Sequence, residues 1–339
     1  MKYKTLGKTG LLVSELCLGT MTFGAKGRFA PIGGVQQKEA DDLVKQAFDA
    51  GVNFIDTANV YSEGVSEEMT GQALRNTSIS RDSVILATKV RGTMGEGPNQ
   101  KGLSRKHIFD EVEASLKRLK TDYIDLYQIH SNDPLTPVDE TLRALDDLVK
   151  SGKVRYIGAS NLAAWKLMKA LDYSYYNNVE RFASLQAYYT IAGRDLEREI
   201  IPLLDDQQVG LMVWSPLAGG LLSGKYSRED EKKSGGRRDK FDFPPVDKDK
   251  AFDILDVLKP MAESKGFSAA QLSIAWLLHQ SAVTSVIVGA KNADQLSQNL
   301  KSTEVKFTSD ELEKLDEISA LNSEYPGWML ELTGQDRQL

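Results

Sequence analysis

An apolar run followed by an amphipathic helical pattern recurs eight times along the chain, and this repeat restricts the possible folds more than any other feature. Strands that are apolar throughout are covered on both faces, and strands that alternate with helices form parallel sheets. Eight such units predict one α/β domain over residues 1–339, a closed (β/α)8 TIM barrel. Its predicted strands are Leu16–Leu18, Val52–Ile55, Val84–Ala87, Tyr123–Ile129, Val154–Ile157, Phe182–Leu185, Leu211–Val213 and Val283–Val288.

A predicted helix follows each strand, and further elements flank the barrel. Alternation around two glycines predicts an N-terminal hairpin over Tyr3–Val13. A long irregular loop, Ser223–Lys248, follows the seventh strand and is expected to cover one barrel face. A C-terminal helix over Ser309–Ile318 precedes an irregular stretch around residues 325–328. The helices predicted within the units are Ala40–Phe48, Ser66–Arg75, Ser104–Leu119, Pro137–Ser151, Ala163–Leu171, Leu196–Asp206, Lys248–Lys265, Ser268–Gln280 and Ala293–Leu300.

A doubly wound parallel sheet is the main alternative for a chain of alternating strands and helices. That fold usually has a GxGxxG phosphate-binding turn after its first strand. The corresponding segment, Gly19–Gly24, reads Gly-Thr-Met-Thr-Phe-Gly and lacks the pattern. The closed barrel is therefore favoured.

Charge and cysteine content exclude several classes of function. A net charge of −6 gives no basic surface for nucleic acid or an anionic membrane. No run reaches the roughly 18 apolar residues of a membrane span, and the N-terminus has no apolar signal segment. The single cysteine, Cys17, cannot form an internal disulfide and lies in an apolar strand, where a buried side chain is expected rather than a reactive thiol. We expect a cytoplasmic protein of undetermined oligomeric state that acts on small molecules.

Polar or aromatic residues follow almost every predicted strand. The C-terminal ends of the strands carry the active site in barrels of this kind. Each residue alone has an ordinary interpretation: Asp56 can start a turn, Lys89 can be a solvated strand end, and His130 can be a core histidine. Their joint occurrence at consecutive strand ends indicates a functional rim. The rim residues are Thr20, Asp56, Lys89, His130, Ser160, Asn161, Gln186, Trp214, Ser215, Gly289 and Lys291.

Four of these positions resemble the catalytic tetrad of the aldo-keto reductase superfamily. Asp56 precedes Tyr61 by five positions, Lys89 ends Ala-Thr-Lys, and His130 ends Leu-Tyr-Gln-Ile-His. The similarity continues through Gly-Ala-Ser-Asn at 158–161 and Trp-Ser-Pro-Leu at 214–217 to the segment 288–299, so it spans nearly the whole chain. The chain resembles either the bacterial-type branch or the potassium-channel-β-subunit-like branch of the superfamily. The resemblance implies an NADPH-dependent enzyme that reversibly reduces aldehydes or ketones to alcohols.

The resemblance also assigns a role to each tetrad residue. The nicotinamide supplies a hydride, so the protein has to supply a proton and stabilise the developing alkoxide. Tyr61 is the acid, and an ammonium beside its oxygen is expected to lower the phenol pKa. Lys89 supplies that charge and Asp56 holds it by a charge-assisted hydrogen bond. His130, taken as neutral, orients the carbonyl oxygen.

Cofactor contacts are implied by the same resemblance. Trp214 stands where the family has an aromatic ring against the nicotinamide, Lys225 resembles a phosphate-contacting lysine, and Arg237 or Arg238 is expected to do likewise. The other cofactor-binding residues implied are Gly19, Thr20, Met21, Asp56, Ser160, Asn161, Gln186, Ser215, Pro216, Leu217, Gly219, Gly289, Lys291, Gln295, Gln298 and Asn299.

The last strand–helix unit indicates which nicotinamide cofactor is preferred. Residues 288–292 run from a strand into a helix start, where free backbone amides attract anions. Lys291 adds a positive charge there, so the 2′-phosphate of NADP(H) is favoured over NAD(H). A lysine lacks the bidentate grip of arginine on phosphate, which makes a less strict preference possible.

The substrate pocket is expected to be aromatic and to suit aldehydes and ketones of modest polarity. Loops over the rim supply its walls, and the sequence leaves the substrate open. Arg91 is a candidate for recognising an anionic group, although arginines on loops are commonly solvated. The pocket residues predicted from these loops are Met21, Phe23, Phe29, Val60, Arg91, Phe241, Phe243 and Trp328, with Tyr61 and His130 reaching the substrate from the tetrad.

Two other classes of function stay open at this level. Some proteins that resemble the family are regulatory subunits that bind the nucleotide to sense redox state and associate with a membrane channel. The complete tetrad with His130 favours an enzyme over that role. A barrel enzyme of other chemistry, such as a lyase, would need metal ligands or another base pattern, and the sequence has no cluster with metal-ligand spacing.

Overall fold

Eight parallel strands close into a barrel in this computed structural model, which describes residues 1–228 and 237–334. The barrel strands are β3 Leu16–Gly19, β4 Phe54–Asp56, β5 Ile85–Val90, β6 Ile124–Ile129, β7 Val154–Ser160, β8 Phe182–Tyr188, β9 Gly210–Trp214 and β10 Val283–Gly289. Their order around the barrel is β10–β3–β4–β5–β6–β7–β8–β9, and β9 pairs with β10 to close it. The predicted barrel and N-terminal hairpin are therefore confirmed.

Most of the helices pack an apolar face on the outer surface of the barrel. In the described part of the chain, no helix is long and apolar enough to cross a membrane. The helices are α1 Gln37–Asp49, α2 Val65–Asn76, α3 Arg105–Leu119, α4 Val138–Lys150, α5 Ala164–Asn177, α6 Leu196–Gln207, α7 Arg237–Lys240, α8 Lys248–Lys265, α9 Ala269–His279, α10 Ala293–Leu300, α11 Ser309–Ser319 and α12 Gly327–Gly334.

The N-terminal hairpin closes one end of the barrel. Its strands, β1 Tyr3–Thr5 and β2 Leu12–Ser14, pair antiparallel. Leu6 and Val13 are fully buried and join the same apolar cluster as the inward-facing barrel residues. Because this end is filled, a substrate can approach only from the other end, where the strands terminate.

The two-residue period of the strands places polar groups directly above this apolar cluster. Residues i and i+2 of a strand face the same side. Three inward-facing cluster residues, Phe54, Ala87 and Leu126, are each followed two positions later by a polar residue. The apolar layer thus ends and a buried polar layer begins at the C-terminal ends of the strands. That layer contains Asp56, Lys89, Gln128 and Gln186.

Several elements extend further than the sequence predicts. Strand β5 continues to Val90, β7 to Ser160 and β8 to Tyr188, so Lys89, Ser160 and Gln186 lie within strands rather than after them. Helix α5 continues past the predicted end at Leu171 to Asn177. Its last turn carries exposed tyrosines, so the apolar residues there no longer follow the helical spacing by which the sequence indicates a helix.

The regions after β9 and after α11 depart from the predicted irregular structure. The predicted loop Ser223–Lys248 contains α7, and its residues 229–236 lie outside the described residues. The stretch around 325–328 was predicted to be irregular, and this is wrong because α12 begins there. Pro326 precedes its first residue, and its carbonyl accepts from the amides of Met329 and Leu330. Its side chains are exposed, so they show no amphipathic pattern.

The contact between α2 and α3 generates a test of packing. Gly71 lies within α2, where an alanine would ordinarily stabilise the helix by about 1 kcal/mol. A Cβ at this position would instead press on the backbone of Leu119 at the end of α3. We expect Gly71→Ala to lower the free energy of unfolding by about 1–3 kcal/mol, measured by urea denaturation. Gly10→Ala, where a Cβ would meet nothing within 4 Å, is the control and should be nearly neutral.

Candidate active site

Lys89 is the centre of the polar layer, and its ammonium group is fully buried. Its Nζ donates to Oδ2 of Asp56 at 2.5 Å, to the carbonyl of Thr57 at 2.9 Å and to Oη of Tyr61 at 3.3 Å. A lysine has three N–H donors, and here each has an acceptor. The structure therefore brings the predicted Asp56, Lys89 and Tyr61 together in one chain of contacts.

The second carboxylate oxygen of Asp56 is held by two amides. Gln128 Nε2 and Gln186 Nε2 donate to Oδ1 at 3.0 and 2.8 Å. Gln186, predicted to contact the cofactor, thus supports Asp56 in this structure, and its cofactor contact stays a prediction. The sequence interpretation missed Gln128, although it is in phase with the inward-facing Leu126 and precedes His130 by two positions.

The pKa values of Lys89 and Tyr61 are set by burial and by each other. Burial opposes the charge of Lys89, but the Asp56 carboxylate and Tyr61 outweigh it and raise the ammonium pKa above its usual value. Burial also raises the pKa of Tyr61, and the opposing effect of Lys89 is smaller. Lys89 lowers the pKa of Tyr61, as expected, but burial raises it by more, so the net shift of the Tyr61 pKa is upward. Both groups therefore keep their protons at neutral pH.

His130 lies beside Tyr61 with its ring edge-on, the ring centroids 5.7 Å apart. Burial lowers the pKa of His130 well below its usual value, and the positive charges of Lys89, Arg28 and Arg91 add to the effect. The imidazole is therefore neutral near pH 7, as the orienting role requires. A neutral imidazole has one N–H donor and one acceptor nitrogen.

The loop that carries Tyr61 has an unusual backbone. Ser62 and Glu63 adopt left-handed conformations with φ of 49° and 58°, and Gly64 follows with φ of 93°. Such conformations cost about 1–3 kcal/mol each for non-glycine residues and persist only where surrounding contacts enforce them. Tyr61 thus sits at the entrance of a strained turn into α2.

A buried polar network outside the barrel enforces this loop. Asn59, fully buried, donates to Oε2 of Glu111 at 2.9 Å. Arg118 Nη2 donates to the same oxygen at 3.2 Å and its Nε to Oε2 of Glu67 at 2.6 Å. Glu67 in turn accepts from Thr88 at 2.5 Å. Thr88 adjoins Lys89, and Asn59 lies between Asp56 and Tyr61. The network therefore fixes both the strand that carries Lys89 and the loop that carries Tyr61.

Trp214 and its neighbours form the face predicted to meet the nicotinamide. Its indole Nε1 donates to Oδ1 of Asn161 at 3.0 Å, and Nδ2 of Asn161 donates to the carbonyl of His130 at 3.0 Å. Tyr188 and Phe243 lie against the indole, with ring centroids 5.1 and 5.8 Å away. This chain of contacts places Trp214 at the same rim as the tetrad.

The segment after Trp214 combines small residues with an unusual backbone, since Ser215, Ala218, Gly219 and Gly220 all have positive φ. Its amides donate within the segment: those of Ala218 and Gly219 to the carbonyl and Oγ of Ser215, and that of Gly220 to the carbonyl of Leu217. A Cβ at Gly220 would meet none of the described residues within 4 Å, so this glycine leaves room for the phosphate chain of a dinucleotide. Pro216 and Leu217 lie within this segment, and Lys225 follows it with an exposed side chain.

Arg238 is oriented differently from the prediction. Its Nη1 donates to the carbonyls of Ala218 and Pro244 at 2.9 and 3.0 Å, and its Nη2 pairs with Asp242. The side chain is buried, and its Nε has no hydrogen-bond partner within the part of the chain that the structure describes. The guanidinium therefore clamps the segment around Ala218, which makes it a poor candidate for the predicted phosphate contact. Of the alternative, Arg237, the structure describes only its place in α7.

The last unit brings its predicted residues to the same rim. Gly289 pairs with Gly19 across β10 and β3, which places the start of α10 next to the first strand end. Within α10, Asn292 caps the first turn by accepting from the amide of Gln295 at 2.9 Å. Lys291 is exposed at this helix start. Among the other predicted residues, Gln295 accepts from the amide of Lys291, Gln298 accepts from Gln271, and Asn299 donates to the carbonyl of Gly289.

The predicted residues of the first rim loop divide into two groups. Phe23 was predicted to contact substrate, and this is corrected: its ring is fully buried in the core between barrel and helices. Thr20 is also fully buried, with its hydroxyl within 2.8 Å of that of Ser66. Met21, in contrast, packs against the cluster around Tyr61. That cluster contains Phe29, Ile32, Ala58, Val60 and Tyr61, with Met94 and Phe241 beside it.

Two of the remaining predictions concern the edge of the site. Arg91 is exposed directly after β5. Trp328 belongs to α12, and its ring centroid lies 6.0 Å from that of Tyr325.

Within residues 1–228 and 237–334, no group of three His, Cys, Asp or Glu side chains is placed to hold a metal ion. Cys17 is buried in the barrel, and burial raises its pKa well above its usual value, as expected of an unreactive thiol.

The site is suited to proton transfer. It joins a buried carboxylate, an ammonium and a phenol in series, and a neutral imidazole lies beside them at the open end of the (β/α)8 barrel. The profile of the Aldo/keto reductase family matches residues 15–320 of the chain. The protein belongs to this family of carbonyl-reducing oxidoreductases, whose members generally use a nicotinamide cofactor.

Similar proteins carry reductase, dehydrogenase and channel-subunit names. The chain is 37% identical to versiconal hemiacetal acetate reductase of Aspergillus parasiticus, over 96% of this chain and 99% of that protein. It is 37% identical to a putative aryl-alcohol dehydrogenase of Schizosaccharomyces pombe, over 93% and 95%. It is also 37% identical to a probable voltage-gated potassium channel subunit beta of Oryza sativa, over 94% and 96%.

The buried ion pair generates a test by double substitution. Lys89→Met leaves the Asp56 carboxylate buried without its counter-charge, which should lower the free energy of unfolding by about 3–5 kcal/mol. Adding Asp56→Asn removes that uncompensated charge, so the double variant should be less destabilised than the sum of the single variants. Urea denaturation of the four proteins measures the coupling. Additive losses would show that the two groups do not stabilise each other.

Proposed function

We propose that the protein is an NADPH-dependent oxidoreductase that reversibly reduces aldehydes or ketones to alcohols, with Tyr61 as the proton donor. The observation that carries this proposal is the contact series from Asp56 through Lys89 to Tyr61 Oη, at 2.5 and 3.3 Å. It lies at the open end of the barrel, beside a neutral His130.

The chain's own groups account for the proton side of the reaction. A bound nicotinamide would supply the hydride to the carbonyl carbon. Tyr61, protonated because burial raises its pKa, delivers the proton from Oη to the carbonyl oxygen. The phenolate left behind lies next to the Lys89 ammonium, which stabilises it, and Asp56 holds that ammonium in place. The N–H of His130 orients the oxygen and stabilises the charge that develops on it.

Substrate and cofactor occupy neighbouring parts of the rim in this proposal. Trp214, held by Asn161, offers a flat face for the nicotinamide, and the space beside Gly220 leaves room for a phosphate-bearing chain. The apolar cluster around Tyr61 supports a pocket for the organic part of an aldehyde or ketone. The lone buried Cys17 and the net charge of −6 support a cytoplasmic enzyme without nucleic-acid or membrane partners.

A regulatory nucleotide-binding subunit is the alternative, since some relatives are named as probable channel subunits. Two observations favour an enzyme. Other relatives are named as a reductase and a dehydrogenase, and the series Asp56–Lys89–Tyr61 is intact in this chain. Turnover separates the two. Tight NADPH binding without oxidation by any aldehyde, quinone or ketone of a broad panel would contradict the proposed enzyme.

Tyr61→Phe removes the proposed acid and keeps the ring. We expect a loss of about 100-fold or more in kcat for carbonyl reduction, the range associated with losing a positioned acid. NADPH binding, measured by fluorescence titration, should be unchanged. Tyr127→Phe is the matched control, because its hydroxyl has no hydrogen-bond partner among the described residues and should contribute nothing to catalysis. Near wild-type turnover by Tyr61→Phe would refute the assignment.

Lys291→Met tests the preference for NADPH. Loss of one exposed ammonium near a 2′-phosphate should raise the KM for NADPH about tenfold and leave that for NADH unchanged. Lys301→Met, an exposed lysine at the far end of the same helix, is the charge-matched control. Equal Michaelis constants for the two cofactors in the wild-type enzyme would refute the preference.

A further inference from the structure

Two arginines flank the catalytic phenol and imidazole, and neither has a role in the mechanism above. Arg28 and Arg91 are exposed. Among residues 1–228 and 237–334, neither guanidinium forms an ion pair or a side-chain hydrogen bond. In a chain with 48 acidic and 42 basic side chains, two arginines that lack acidic partners at the mouth of one site require an explanation.

Arg28 is connected to Tyr61 through one aromatic ring. It lies in a short 3-10 helix, Gly27–Phe29, in the loop over the barrel end. Its guanidinium carbon is 4.8 Å from the ring centroid of Phe29, a cation–π contact. The Phe29 ring packs edge-on against Tyr61 with centroids 5.2 Å apart. Because Phe29 is buried, this contact holds Arg28 on the Tyr61 side of the pocket.

Arg91 is connected to His130 through the barrel backbone. It follows Val90, the last residue of β5, whose carbonyl accepts from the amide of His130 at 2.9 Å. Its φ is 132°, a conformation that side-chain-bearing residues rarely adopt. The amide of Gly102 holds it there by donating to its carbonyl at 3.0 Å. Strain of this kind is concentrated at functional sites, and glycine would occupy the position without it.

Both positive charges act on the imidazole of His130. Together with Lys89, Arg28 and Arg91 lower the pKa of His130, so the two arginines contribute to a positive potential at this ring. The acidic group that Arg91 influences, Asp133, already accepts hydrogen bonds from Leu103, Leu135 and Thr136. Asp133 therefore does not neutralise Arg91 through a direct pair.

We propose that Arg28 and Arg91 bind an anionic group on the substrate, so that the enzyme prefers aldehydes or ketones that carry a carboxylate or a phosphate. The inference rests on the proposed carbonyl reductase function and narrows its substrate class. The apolar cluster around Tyr61 contacts the carbon skeleton, while the two guanidiniums provide planar donors suited to carboxylate and phosphate oxygens. Hydride and proton transfer are unchanged.

The test compares benzaldehydes whose para substituent is anionic or neutral. We measure kcat and KM with NADPH for 4-carboxybenzaldehyde, its neutral methyl ester and 4-formylphenyl phosphate. The proteins are wild type, Arg28→Met, Arg91→Met and the control Arg155→Met, an exposed arginine at the opposite end of the barrel. Each site substitution should lower kcat/KM for the anionic aldehydes about tenfold through KM, as for one lost charge-assisted hydrogen bond. The ester and the KM for NADPH should be unaffected, and Arg28→Lys should restore part of the loss.

Other outcomes overturn the inference. An acid-to-ester ratio that is the same in all four proteins would mean that the arginines are only solvated. A raised KM for NADPH with an unchanged ratio would assign them to the cofactor phosphates instead. Higher kcat/KM for the phosphate than for the carboxylate would identify the preferred anion and still support the proposal. The dissociation constants of the same aldehydes test the inference even if no turnover occurs, an outcome that would contradict only the proposed function.

Discussion

The ammonium group of Lys89 is the charge on which the rest of the site depends. Removing a lysine from water is costly unless the charge is paired and all its donors are used. Asp56 supplies the counter-charge, while Thr57 and Tyr61 accept the two other hydrogens. The amide of Gln128 then satisfies the far oxygen of Asp56. These requirements fix one geometry, in which Tyr61 is the most exposed of the five residues.

The barrel makes this buried charge possible by enclosing it from two sides. Below it, the hairpin and inward-facing residues form an apolar plug. Outside it, a second polar network reaches β5 at Thr88 and the loop of Tyr61 at Asn59. Its charged members are Glu67, Glu111 and Arg118. Because Glu67 belongs to α2 and the other two to α3, the contacts that hold this loop also join the barrel to two of its helices.

The barrel and the positions of Asp56, Tyr61, Lys89 and His130 could be predicted from sequence. The spacing of the apolar residues predicts the strands, and each of these four residues lies at a strand end or shortly after it. The rest depends on three-dimensional packing. Gln128 lies inside a strand whose other residues are typical of a core. Its inward orientation is recognised only once the inward-facing residues of that strand are known. Phe23 and Phe29 lie in one glycine-rich loop, and only the fold shows that the first is core while the second packs on Tyr61. The net pKa shift of Tyr61 is a balance between burial and Lys89, which sequence cannot weigh.

The central claim is that Tyr61 is a neutral, buried phenol that Lys89 prepares for proton donation without ionising it. NMR titration of protein labelled at tyrosine Cζ measures this directly, with the Tyr61 signal identified by its loss in the Phe variant. Because burial outweighs Lys89, the Tyr61 signal should remain that of a phenol up to at least about pH 10, the usual tyrosine value. A Tyr61 signal that shifts to that of a phenolate between about pH 7 and 9 would contradict the account.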